Sequence, residues 1–297
     1  MLAPRAVFVH RRSEYEELLD RHATFGQAEF FLRSRGRSIE DVVARHEAIE
    51  DALHRVSTGL PAEFRQARVE RSDLDRYLFA PEDVVVAVGQ DGLVANVAKY
   101  LAGQPVVGVN PEPDRNAGVL VRHAPGRAVA VIENARHGTA TLEQRAMVQA
   151  TLDDGQTLVA LNDVYLGDPG HQSSRYTLTV PERGSERQSS SGIIVGTGTG
   201  ATGWSSSIAA DRSLAEWLPA SGSDALAWFV REAWPSRATG RALEYGGLAA
   251  GQQLELVAES ELLVAFGDGI EHDRLPIAWG QRLTVGTSSH RLALVVA

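Results

Sequence analysis

The chain has 297 residues, a formal net charge of −9 and no cysteine. That excludes disulfides, thiolate metal sites and cysteine nucleophiles, and it gives no support to nucleic-acid binding, which draws on a basic face. Apolar residues make up 43% and charged residues 23%, ordinary for a globular protein long enough to hold two modest domains, and no apolar run reaches the ~20 residues of a membrane span.

Ala6-Val7-Phe8-Val9 reads as a first strand. It begins so near the start that the reading leaves no room for a signal or transit peptide and expects a cytoplasmic protein. Tyr15 to His22 has helical character. Ser38 with Asp41 three residues on has the form of a capping box. Ile39, Val42, Val43, Ile49 and Leu53 then mark one face of a helix whose other face is charged. His46 and His54 lie beside that stripe and read as partly buried spacers. Phe64 to Glu70 reads as the second strand and Leu74 to Leu78 as a short helix.

The most informative stretch follows. Val84 to Val88 is uncharged and mostly β-branched, the pattern of a strand buried on both faces of a parallel sheet. It runs into Gly89-Gln90-Asp91-Gly92, and Leu93 to Leu101 reads as a helix, so the free N–H groups of the turn could face a phosphate. Asp91 carries two readings: a carboxylate at the mouth of an α/β sheet, where such folds bind ligands, or a helix cap. Pro105 to Asn110 reads as another buried strand. The alternation predicts a three-layer α/β domain over residues 1–125.

Beyond residue 125 the pattern becomes that of a mostly antiparallel β domain, expected over 126–275 with closing strands in 276–297. Met147 to Leu161, Arg175 to Val180, Gly192 to Gly196, Leu254 to Val257, Leu262 to Phe266, Arg282 to Val285 and Arg291 to Val296 are strand-like. Ser185 to Ser191 reads as a turn. Ser213 to Trp234 reads as a helical or loop interruption, with Trp217, Trp228 and Trp234 expected in core or subunit packing.

Two stretches of this half carry polar groups in suggestive order. Gly198-x-Gly200-x-x-Gly203 follows a strand, as a dinucleotide fingerprint does, but no clear strand follows within ~50 residues to complete the βαβ unit that fingerprint needs. The stretch is better read as a glycine-and-hydroxyl loop suited to a phosphate, a ribose or an adenine edge. Asn162 and Asp163 leave a strand-like run as adjacent amide and carboxylate. They suit a ribose diol or a base edge, or else an Asx turn.

Taken in order, Gln90-Asp91-Gly92 after a buried strand, Gly108-Val109-Asn110, Ala160-Leu161-Asn162-Asp163, and Ser191-Gly192 leading to Thr197-Gly198-Thr199-Gly200 resemble the NAD kinases. The likeness leans toward the divergent mitochondrial type and its bacterial relatives, through Val107 to Gly118, Ala160 to Gly167 with Ser173-Ser174-Arg175, and Ser190 to Trp204. It covers most of the chain. The resemblance implies an α/β domain joined to a β-rich domain, and Mg²⁺-ATP-dependent phosphorylation of the 2′-hydroxyl of the adenosine ribose of NAD. It makes Asp91 the general base, gives Asn162 and Asp163 the dinucleotide, and puts Thr202 near the adenine. Gly89, Gly92, Asn110, Thr197, Thr199 and Gly200 fall in the nucleotide loops. No dedicated protein metal site is implied, though the resemblance also lets Asp91 help place the metal. ATP or polyphosphate is the expected donor, and a homodimer the expected assembly.

Two departures fall on the ATP side. The family's second motif glycine is Gln90 here, and its threonine is Leu93. Two other functions therefore stand beside the kinase: an NAD-binding sensor or interaction protein without turnover, and a same-fold kinase acting on another nucleoside or lipid hydroxyl. Titration with dinucleotides separates them.

Overall fold

In the computed structural model, which describes residues 5–297, the β-branched runs of the N-terminal part form a parallel sheet. The chain order there is β1 (Arg5–His10), α1 (Glu14–His22), α2 (Phe25–Arg33), α3 (Ile39–Gly59), β2 (Arg65–Glu70), a 3-10 turn (Arg71–Arg76), β3 (Val84–Val88), α4 (Asp91–Ala98), β4 (Pro105–Val109) and α5 (Pro125–Arg136). The strands lie in the order β2-β1-β3-β4, each neighbour parallel, and Ala293 and Leu294 pair parallel with Pro105 and Val106 of β4. Every side chain of β3 is buried, as a sheet covered on both faces requires. Ala6, Phe8, Val84, Val86, Val107 and Val109 share one face with Leu53 and Val56 of α3 and Val131 and Ile132 of α5. Residues between them in sequence point the opposite way, where α4 packs. This unit comprises residues up to Glu143 with Ala293–Ala297, so α5 belongs to it although it lies beyond the change of pattern at residue 125. Its start signal is Pro125 in the first turn, where a missing N–H costs nothing.

The second unit, Gln144–Leu292, is a β sandwich. Its strands are β5 (Leu142–Leu152), β6 (Thr157–Ala160), β7 (Asp163–Gly167), β8 (Ser174–Val180), β9 (Gly184–Ser190), β10 (Ile193–Thr197), β11 (Leu226–Val230), β12 (Tyr245–Leu248), β13 (Gln253–Ala258), β14 (Leu262–Gly267), β15 (Ile270–Ala278) and β16 (Arg282–Val295), with α6 (Trp204–Arg212) between β10 and β11. One sheet contains β16-β13-β8-β9 with the β5–β6 hairpin; the other runs β12-β11-β10-β7-β14-β15, antiparallel throughout. Val148, Leu178, Leu256 and Leu283 from the first meet Leu166, Val195, Trp228 and Ile277 from the second. Each such large apolar side chain contributes about 1.5–3 kcal/mol by leaving water.

Three local expectations are corrected. Ser185 to Ser191 is not a turn: Gly184–Ser190 is β9, paired along its whole length with β8. Its polar sequence hid it because it lies at the end of the sheet order; of its two inward residues, Gln188 donates through Nε2 to the Leu243 carbonyl at 2.7 Å and Ser190 shares a hydrogen bond with the Tyr176 hydroxyl at 2.6 Å. Met147 to Leu161 is two strands of a hairpin, not one. Ser213 to Trp234 contains the fully buried strand β11, and Trp228 is a core residue of it, while Trp217 and Trp234 are exposed. Gly198 to Gly203 does lead into a helix, α6, but the strand before it is antiparallel to both neighbours, so the segment is no Rossmann unit. No helix of the described residues is long and apolar enough to cross a membrane.

Candidate functional site

The sequence-predicted residues fall into two groups, one in each unit. In the first, β3 delivers Gly89 to Gly92 to the C-terminal edge of the parallel sheet, where open α/β sheets hold ligands. Gly89 has φ +155° and its amide donates to the Val109 carbonyl at 3.0 Å; a Cβ there would press on Leu93 at 3.3 Å. Gln90 has φ −105° and ψ 165°, angles open to any residue, so the backbone of this turn accepts Gln where the family has glycine. Its side chain is exposed and caps nothing. Leu93 is buried in α4, which puts the side chain at the family's threonine position in the core.

Asp91 opens α4 and is half-buried. Its Oδ1 accepts from the amides of Leu120 at 2.8 Å and Val121 at 2.9 Å, and its Oδ2 accepts from Val119 at 2.9 Å. The carboxylate thus fixes the loop that follows β4, and Oδ2, with one donor, keeps an acceptor position. Asn110 is buried and spends both ends of its carboxamide inside the same loop: Nδ2 donates to the Asn116 carbonyl at 2.8 Å and Oδ1 accepts from Glu112 N at 3.0 Å. Gly89, Gln90 and Gly92 line a cavity of about 480 Å³ with Arg45, Arg71 and Glu112. The arginines were not singled out from sequence, because Arg45 sits on the charged face of a helix and Arg71 in a polar turn, neither in any motif.

In the second unit, Asn162 and Asp163 lead into β7. The amides of Leu161 and Asn162 donate to the carboxylate of Asp268 at 2.8 and 2.7 Å. Asp163 lies near this carboxylate, and burial first, then the Asp268 charge, push the Asp163 carboxyl up to about 7. Sequence reasoning passed over Asp268, although Asp268-Gly269 after a strand repeats the Asp-Gly signal of residues 91 and 92.

The glycine-and-hydroxyl loop packs on the same backbone. Thr197 is buried; its Oγ1 donates to the Leu161 carbonyl at 2.6 Å and accepts from Thr199 N at 3.1 Å and Gly200 N at 3.2 Å. A Cβ on Gly200 would lie 2.2 Å from the Asn162 carbonyl oxygen, so only glycine allows this approach. Thr199 is buried and its hydroxyl has no hydrogen-bond partner among the described residues. Thr202 is exposed, donating to the Thr199 carbonyl at 3.3 Å. Asn162, Asp163, Thr197, Thr199 and Gly200 thus form one constellation, with Thr202 on its exposed side. Nearby, Tyr165 and Trp204 stack at 6.0 Å, Phe266 leans on Tyr165 at 4.9 Å, and the Arg231 guanidinium lies 5.2 Å from the Trp204 ring.

Comparison with known proteins adds a source of evidence independent of this geometry. No family model matches the chain. It is 29% identical over 140 residues to an NAD kinase of Chlorobaculum tepidum, covering 46% of this chain and 47% of that protein. To an NAD kinase of Clostridium tetani it is 30% identical over 177 residues, 57% of this chain and 60% of that one. To the human mitochondrial NAD kinase 2 it is 25% identical over 245 residues, 66% and 55% respectively. The matches thus span about half to three-fifths of these relatives' lengths. Among solved structures, an Archaeoglobus fulgidus NAD kinase in complex with ATP superposes with a TM-score of 0.60 at 16% identity, covering 98% of this chain and 93% of that one. In sequence the chain is similar to NAD kinases of bacterial and mitochondrial type, and its fold is that of the Archaeoglobus NAD kinase.

Proposed function

We propose that the protein is an NAD kinase, a phosphotransferase that moves a phosphoryl group from ATP or inorganic polyphosphate to the 2′-hydroxyl of the adenosine ribose of NAD. The observation that carries this reading is the Asp91 carboxylate, fixed by three backbone amides with an acceptor position left on Oδ2, between Gln90 and Gly92, which line a cavity. A hydroxyl is a weak nucleophile until a positioned base takes its proton. In the step, the ribose oxygen forms a bond to the terminal phosphorus, the bond to the donor's bridging oxygen breaks, and the hydroxyl proton passes to Asp91. The rest of such catalysis is alignment and charge neutralisation. Among the described residues no group of three acidic or histidine side chains could hold a metal ion. Mg²⁺ commonly binds through substrate phosphates with one or two carboxylates, so the fit here is to an ion carried in on the donor, where it neutralises phosphate charge. Asn162 and Asp163 hold the dinucleotide, with Thr202 toward the adenine.

Gln90 and the buried Leu93 favour a second reading, a dinucleotide-binding protein without turnover. Incubation with NAD and either ATP or polyphosphate, followed by NADP detection, separates the two. NADP formation is expected. Dinucleotide binding with no NADP from either donor would move the assignment to the sensor, and no dinucleotide binding would move it to a kinase for another hydroxyl.

A further inference from the structure

The cavity lined by Gly89, Gln90 and Gly92 holds more positive charge than its carboxylates use. Arg71, half-buried at the head of the turn after β2, and Arg45, on α3, both line it. Neither makes an ion pair among the described residues. The acids that share the cavity are taken: Glu14 by Arg37 at 2.5 Å, Glu17 by Arg11 at 3.7 Å, and Glu112 by Arg115 at 3.4 Å. Arg12 is paired with Asp20 at 2.5 Å. The Arg37 hydrogen bond first, with the charge of Arg45 as a smaller cause, keeps the Glu14 carboxyl below its usual range. A half-buried guanidinium with no counter-ion loses hydration without gaining a partner; an anion in the cavity would supply one.

Size and arrangement say which anion. About 480 Å³ lies within the range of small-molecule sites and is far more than one orthophosphate needs. The groups facing it come from three separate elements, α3, the turn after β2 and the turn after β3. Donors spread in this way suit charges repeated along a chain. Gln90 adds an exposed carboxamide that makes no helix-capping hydrogen bond. Its NH₂ group can donate to phosphate oxygens.

We propose that Arg45, Arg71 and Gln90 bind an oligophosphate chain, and that in the kinase reading, on which this assignment rests for its biological meaning, they hold the donor phosphates that are not transferred. Gln90 is then a ligand-binding residue of this chain and not a defect in its glycine motif.

Calorimetric titration of the intact protein with ATP, with tripolyphosphate as a probe lacking a nucleoside, and with orthophosphate tests this without turnover. ATP and tripolyphosphate should both bind, and orthophosphate at least about tenfold more weakly. Loss of one charge-assisted contact is worth about 1.5–3 kcal/mol, or ~10–100-fold in Kd. Arg71→Ala and Gln90→Glu should each show a rise of that order, with NAD affinity changed less than about twofold and Arg71→Lys recovering most of the loss. Unchanged affinity for both probes in a normally melting Arg45→Ala/Arg71→Ala variant would overturn the proposal. So would a wild type that binds neither probe, or binds ATP but not tripolyphosphate. Oligophosphate binding that is lost in the variants of a protein making no NADP would support this site and defeat the kinase reading alone.

Discussion

The Asp91 carboxylate fixes a loop and, in the proposed reaction, also takes the ribose proton. Three amides of residues 119–121 converge on it, so its replacement tests structure and chemistry together. In Asp91→Asn one oxygen still accepts from Leu120 and Val121, but an NH₂ group then faces the Val119 amide. Stability should fall by about 1–2 kcal/mol, the worth of a charge-assisted hydrogen bond, while turnover should fall by about 10²–10⁴-fold if the lost base matters as general bases do. Urea denaturation and NADP formation measure the two separately, and a turnover loss no larger than the unfolded fraction explains would remove Asp91 from the chemistry. Asp163 presents a different balance. Burial and the Asp268 charge push its carboxyl up to about 7, from an ordinary 3.8, so the folded state holds that proton more tightly than the unfolded chain. Its contribution to stability is complete below about pH 3.8 and is lost as pH rises through 7. Asp163→Asn, which cannot ionise, should therefore gain stability over wild type at pH 8 by about 1–3 kcal/mol and differ little from it at pH 4. A gain independent of pH would mean the charge is not the cause.

At the level of elements, the two glycine-rich turns use glycine for different reasons. A Cβ on Gly200 would strike the Asn162 carbonyl at 2.2 Å, whereas a Cβ on Gly92 would meet nothing within 4 Å. Gly200→Ala should cost about 2–4 kcal/mol, typical of strain in a packed site, and weaken NAD binding with it. Gly92→Ala, in the first turn of α4, should stabilise by about 0.5–1 kcal/mol through helix propensity. A fall in oligophosphate affinity in that more stable variant would place the ligand against Gly92, and thermal melts with titration read both effects. Much of the scaffold was legible beforehand, because continuous apolar runs such as Val84 to Val88 and Ile193 to Gly196 admit few other structures. What escaped was held by context. β9 is polar and reads as a strand only once β8 lies beside it. α2 exposes Phe25 and Phe30, which blurs its period. In the candidate site, motif order marked Asp91, Asn162 and Asp163, but not the partners that fix them. Asp268 lies 105 positions beyond Asp163 in sequence, and the amides of residues 119–121 carry no side-chain signature.

For the molecule as a whole, the large exposed aromatics raise the question of association. Trp204, Trp217, Trp234 and Trp279 all belong to the second unit, and Trp234 and Trp279 are 68% and 72% exposed. Tryptophan is enriched in the buried cores of protein interfaces, and one such ring covered by a partner removes apolar area that otherwise costs about 25 cal/mol per Å² in water. A net charge of −9 on 297 residues opposes indiscriminate clumping, so the association it permits is a specific one. A closed two-fold pair is the commonest solution for a single kind of chain. The expected result of light scattering at about 20 µM is therefore a particle of twice the 32.0 kDa chain mass, converted toward monomer by Trp279→Glu or Trp234→Glu with an unchanged melting profile for each unit. A wild-type mass of one chain across the concentration range would show that these rings are simply solvated. A dimer that survives both substitutions would show that it forms through another surface.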